Sequence, residues 1–114
     1  MPWRWIMTAE TLGTGQIAWQ RRAAGKLTEI LLRYPHLPPL SWTVGNAGAT
    51  LTATVSTLPT EPEIRDAFTA WADVLALTVT PARTDQISTR LMATGRRDGV
   101  HLVLTATIYA EDGS

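Results

Sequence analysis

His36 and His101 are the two side chains of this sequence whose ordinary pKa would let them exchange a proton near neutral pH. General acid–base catalysis needs such a group to converge with a second titratable or nucleophilic one. His36 sits in a proline-rich connector, Pro35-His36-Leu37-Pro38-Pro39, and His101 shares one strand face with Val103, Thr105, Thr107 and Tyr109. Neither spacing gathers a catalytic set. The chain has no cysteine, which removes disulfides, thiolate zinc sites, iron–sulfur clusters and cysteine nucleophiles. Gly13-Thr14-Gly15 lacks the third glycine, the preceding strand and the lysine of a phosphate-binding loop. Glu61, Glu63 and Asp66 cluster where a helix should begin, and acids there complement the helix dipole. The sequence therefore predicts no catalytic residue, cofactor or metal site, and a non-enzymatic protein.

Binding chemistry has more material. Arg21, Arg22, Lys26 and Arg33 recur on one side of a helix and Arg96-Arg97 stand in a hairpin loop, so Arg21, Arg22, Lys26, Arg96 and Arg97 could contact the phosphates of a nucleic acid. Exposed basic residues are also ordinary solvated surface, and Glu29 spaced four before Arg33 reduces the local field. A second candidate is a sheet face: Thr50, Thr52 and Thr54 alternate along one strand, and His101, Val103, Thr105 and Tyr109 along another. If the strands are neighbours, Thr52, Thr54, His101, Val103, Thr105 and Tyr109 form either a contact surface for a second copy or a protein partner, or a plain hydrated face, since threonine suits strands in any case. Of the five tryptophans, Trp19, Trp42 and Trp71 fall on apolar stripes and read as core, with a small-ligand pocket near Trp42 and Trp71 as the third possibility. Trp3 and Trp5 have no such explanation.

Composition frames these options. A chain of 114 residues, 45% hydrophobic and 18% charged, suits one core. Its zero net charge argues against a general polyanion binder. Residues 1–50 carry five basic and two acidic side chains and the remainder five and eight, so opposite surpluses of three divide the chain. The opening Met1-Pro2-Trp3-Arg4-Trp5-Ile6-Met7 is cut off by Thr8, Glu10 and Thr11, too short for a signal peptide's apolar run, and no stretch approaches about 20 apolar residues. A cytoplasmic protein without membrane or metal is the expectation.

The elements that must position these groups follow from periodicity. Residues 1–15 show no period and read as a flexible arm. From Gln16 to Tyr34, Trp19, Ala23, Leu27, Ile30, Leu31 and Tyr34 recur at helical spacing, with Gly25 a local weakness unless a partner packs against it. Leu40, Trp42 and Val44, then Leu51, Ala53 and Val55, alternate around Gly45-Asn46-Ala47-Gly48 and predict a hairpin. Thr60, Pro62 and Glu63 are a helix start, ahead of the stripe Ile64, Ala67, Phe68, Trp71, Val74 and Leu75. Leu77-Thr78-Val79-Thr80 reads as a short strand ended by Pro81. Ile87, Leu91 and Ala93, then Val100, Leu102, Leu104, Ala106 and Ile108, predict a last hairpin around residues 95–99. The expected fold is α+β, in the order α-β-β-α-(β)-β-β. Both helices should lie on one face of a mostly antiparallel sheet, with a single domain over 16–110 and a tail at 111–114.

Through Leu37-Pro38-Pro39-Leu40-Ser41-Trp42-Thr43-Val44, the helix segment from Arg65 to Trp71 and the strand from Val100 to Ile108, the chain resembles small uncharacterised proteins of actinobacterial genomes. The resemblance covers residues 19–109 and implies a GC-rich source, in line with the use of arginine over lysine. It implies no site residues.

Overall fold

The computed structural model describes residues 2–45, 48–55 and 60–109, with side chains described from Gly15 onward. The tail expected at 111–114 and the side chains of Trp3 and Trp5 lie outside the described residues. The element order is α1 (Pro2–Arg33), β1 (Ser41–Val44), β2 (Thr50–Val55), α2 (Glu61–Val74), β3 (Thr78–Val79), β4 (Arg83–Thr84), β5 (Ser88–Arg97) and β6 (Val100–Tyr109). This is the α+β class read from the sequence, with one sheet ordered β1-β2-β6-β5-β3 and β4 also paired to β5.

Neighbouring strands are antiparallel except β2 and β6, which run parallel with Leu51 beside Leu102 and Ala53 beside Leu104. A parallel pair needs a long crossover, and α2 lies within the chain that joins β2 to β6. The inward side chains are Leu51, Ala53 and Val55 of β2, Leu91 and Ala93 of β5, and Val100, Leu102, Leu104, Ala106 and Ile108 of β6, all buried. Against them pack Ala23 and Ile30 of α1 and Ala67, Phe68, Trp71, Ala72 and Leu75 at α2, so both helices cover one face. Ala53, Ala93 and Ala106 leave little side chain beneath the helices, which can approach the sheet closely.

Local chemistry explains the limits of α2. Thr60 is its N-cap, its Oγ1 accepting from the Glu63 amide at 3.4 Å, and Pro62 occupies the first turn where no amide partner is lost. At the other end the Leu77 amide donates to the Ala72 carbonyl and the Ala76 amide to that of Asp73, a Schellman turn with Ala76 at φ 54° where glycine usually stands. Trp71 is 2% exposed, with the Tyr34 and Trp42 rings edge-on at 6.2 and 5.8 Å and its indole N–H donated to the Pro38 carbonyl at 2.7 Å. That bond ties the proline connector to the core. The three rings meet where the sequence placed a candidate small-ligand pocket.

Four readings of the sequence need correction. Helix α1 reaches back to Pro2, through the segment expected as an arm. Gly13 and Gly15 lower its propensity, but extending a helix already nucleated by packing at Ala23 and Ile30 adds a hydrogen bond per residue. Trp19 is 43% exposed and Leu31 is exposed too, because the buried line of α1 runs through Ala23, Lys26 and Ile30. Ile87 lies outside β5, at the tip of the β4–β5 hairpin and 68% exposed. The loop expected over 95–99 shrinks to Asp98-Gly99, both at positive φ (51° and 80°), the turn that suits a two-residue hairpin. Gly95 is a strand residue instead: a β-carbon there would stand 2.9 Å from Leu77 Cδ2.

Candidate functional site

Because both helices share one face, the other face of the sheet is left without a covering element among the described residues. Alternation along β2 places Thr50, Thr52 and Thr54 there, and along β6 His101, Val103, Thr105, Thr107 and Tyr109. The parallel register sets Thr50 beside His101, Thr52 beside Val103 and Thr54 beside Thr105. The structure thus brings together five of the six residues read as a possible interface. Tyr109, the sixth, lies at the far end of β6 opposite Ser88 and is 70% exposed.

This surface is less polar than its sequence. The hydroxyls of Thr54 and Thr105 bond each other across the strands at 3.2 Å, a cross-strand pair that satisfies them without water. Their methyls and the Val103 side chain then make up much of the centre. On the β5 side the same face carries Ser88, Arg90, Met92, Thr94 and Arg96.

Two of the basic residues, Arg22 and Lys26, meet the β5–β6 turn from α1. Lys26, expected on the solvated side of the helix, is only 8% exposed and donates to Glu29 Oε2 at 2.9 Å and to the Asp98 carboxylate. These two acceptors hold the Lys26 pKa above the ordinary lysine value, Asp98 first, and Lys26 in turn draws the Asp98 carboxyl below its ordinary range. A buried cation needs such partners. Lys26 is therefore engaged within the fold, and its place as a phosphate contact is corrected. Nη1 of Arg22 lies 3.5 Å from where a Gly99 β-carbon would be, which places it beside the same turn. Arg96 and Arg97 are the last residues of β5, opposite His101 and Val100, rather than loop residues. Arg21 is exposed on α1. Of the helix residues, Arg22 thus reaches the β5–β6 turn, while Arg96, opposite His101, lies on the open face away from α1.

Three concavities are lined by described residues. One of about 440 Å³ lies between α2 and the β3–β5 side, lined by Phe68, Ala72, Leu77, Val79 and Leu91 with Arg65 and Asp73 among its polar groups. A second of about 470 Å³ is lined by Thr80, Pro81, Ala82, Arg83, Arg90 and Met92, and a third of about 320 Å³ by Arg83, Thr84, Asp85, Ser88 and Arg90. His36 and His101 line none of these three. Among the described residues no three His, Asp or Glu side chains are grouped to hold a metal ion, and no helix is long and apolar enough to cross a membrane. The pairing of Arg83 with Arg90 escaped the sequence reading, since it depends on a strand too short to show a period. No family model matches this chain, and neither a curated protein nor a solved structure does.

Proposed function

We propose that this protein is a non-enzymatic binding domain that contacts a protein partner, in the first instance a second copy of itself, through the sheet face opposite the helices. The observation that carries the reading is the contiguous patch of Thr52, Thr54, His101, Val103 and Thr105 across β2 and β6, each half-buried and none under a helix. Apart from His101 its side chains are short, and the Thr54 and Thr105 hydroxyls are already paired, which lowers their desolvation cost. Because β6 is the middle strand of the order β1-β2-β6-β5-β3, a twofold axis above the open face and parallel to β6 would lay the patch on itself. Such an arrangement sets the arginines of β5 over the threonines of β1 and β2 rather than over each other. Zero net charge leaves no global repulsion to oppose association. Light scattering on the wild type and on Val103→Arg tests it: a dimer that becomes monomeric in the variant is the expected result, and a wild-type monomer up to high protein concentration would sink self-association.

A second reading, nucleic-acid contact by Arg21, Arg22, Arg96 and Arg97, draws support from the approach of Arg22 to the turn that follows Arg97. Asp98 and Glu29 offset part of that charge. Binding to single or double strands should then weaken steeply with salt and be lost in Arg22→Gln/Arg97→Gln. Binding that ignores salt, or none at low salt, would remove this reading.

A further inference from the structure

At the β3–β4 margin of the open face, two arginines stand directly opposite one another: Arg83 of β4 pairs with Arg90 of β5. The arrangement depends on one extra residue. Thr78 and Val79 pair with Thr94 and Ala93, and the Thr80 amide donates to the Met92 carbonyl, so Thr80 continues that register. Arg83 then meets Arg90, which leaves Pro81 and Ala82 opposite Leu91 alone: a β-bulge. Since side chains alternate faces along a strand, the added residue turns Arg83 from the helix side to the open side, where Arg90 already points. Like charges directly opposite destabilise a sheet, so a bulge that creates such a pair calls for a compensating anion.

One acid among the described residues, Asp85, lines a concavity with both arginines, and it forms an ion pair with neither. The ion pairs among the described residues are those of Lys26 and Arg65, and neither Arg83 nor Arg90 takes part in one. Asp85, in the same hairpin, turns its Oδ1 to the amides of Ile87 and Ser88, both at 2.8 Å, and these bonds hold its carboxyl below the ordinary range. It secures the turn. The second and third concavities share Arg83 and Arg90 and differ otherwise: Thr80, Pro81, Ala82 and Met92 line one, Thr84, Asp85 and Ser88 the other. The two arginines therefore border a mostly apolar hollow free of acids and a polar one that holds Asp85, which leaves the first as the side open to an anion. Planar guanidiniums match carboxylate and phosphate oxygens in pairs, and a hollow of about 470 Å³ is in the range of small-ligand sites.

We infer that this margin binds an organic anion whose carboxylate or phosphate head bridges Arg83 and Arg90 while its apolar body lies on Pro81, Ala82 and Met92. The experiment is titration of the full chain with hexyl phosphate, hexanoate, inorganic phosphate and hexanol, followed by amide NMR and calorimetry. At least one of the two amphiphilic anions should shift the amides of residues 80–84 and 88–92, and the tighter one identifies the head group. Inorganic phosphate, lacking the apolar part, should bind at least about tenfold more weakly, and hexanol should leave these amides unmoved. Arg83→Gln and Arg90→Gln should each weaken binding about tenfold or more, the size of one charge-assisted contact. Arg65→Gln, on α2 beside Glu61, should not change it. Both glutamine variants should fold, because each removes a repulsion, and an unchanged amide spectrum elsewhere checks this. Hexanol binding as well as the anions, wild-type affinity in both arginine variants, or no shift with any probe at millimolar concentration would each overturn the inference.

Discussion

Gly25 and Ala76 both stand where the backbone would accept the other's side chain. Gly25 lies within α1, and a β-carbon there would meet nothing within 4 Å, so no neighbour requires its absence. Gly25→Ala should stabilise the protein by about 0.5–1 kcal/mol, through helix propensity and a less flexible unfolded chain. Ala76 has φ 54° at the end of α2, where the left-handed conformation costs a non-glycine residue about 1–2 kcal/mol. Part of that gain is lost to the unfolded chain's added freedom, so Ala76→Gly should stabilise by about 0.5–1 kcal/mol. Urea melts of the two single variants and the double check both, and the effects should add, since the sites lie on different helices without a shared contact. A loss of stability in Gly25→Ala would mean that α1 meets a partner at that position.

Between elements, the principal polar tie is Lys26 of α1 to Asp98 in the β5–β6 turn, joining residues 72 apart in the chain. Asp98 has its pKa lowered by Lys26, so its contribution is present above the unfolded carboxyl value of about 3.9 and is lost as pH falls through the lower folded value. Asp85, lowered by the Ile87 and Ser88 amides, loses its contribution in the same acid window. Lys26 has its pKa raised, so its contribution is complete below the unfolded lysine value of about 10.4 and is lost as pH rises through the higher folded value. Stability from these groups should be level between about pH 5 and 9. Asp98→Asn keeps a residue that tolerates the positive φ, and should lower the plateau and flatten the acid limb, leaving the share of Asp85. Denaturant melts from pH 2 to 11 measure this. An acid limb identical to wild type in Asp98→Asn would show that the pair contributes nothing to folding.

For the whole molecule, one face bears both helices and the other bears the Thr–Val patch and the paired arginines. If the patch closes on a second copy, folding and association are linked, and the melting temperature should rise with protein concentration. Val103→Arg should abolish that dependence while leaving the melting temperature of the dilute protein nearly unchanged, because Val103 lies outside the core. A concentration-independent transition in the wild type would direct the search to other partners of this face. Addition of the tighter-binding of hexyl phosphate and hexanoate should raise the melting temperature of the wild type and not of Arg83→Gln/Arg90→Gln, which separates the anion site from the patch.

Features that rest on neighbours within a few residues were legible in the sequence. The start of α2 is one case, since Thr60, Pro62 and Glu63 act on amides within the same turn. The alternation of β2 and β6 is another, since it decides which side chains share a face whatever the sheet's order. The amphipathic stripe around Trp71 likewise announced a core position. Only the tertiary structure decided what long-range pairing controls: the parallel join of β2 to β6, the burial of Lys26 against Asp98, and the retreat of Trp19 from the core. The bulge at Pro81 and Ala82 belongs with them, for two strands of two residues carry no period to read, and the face taken by Arg83 follows from its register with β5. Local backbone and solvation preferences are written in adjacent residues, whereas register and burial emerge when distant segments compete for the same face.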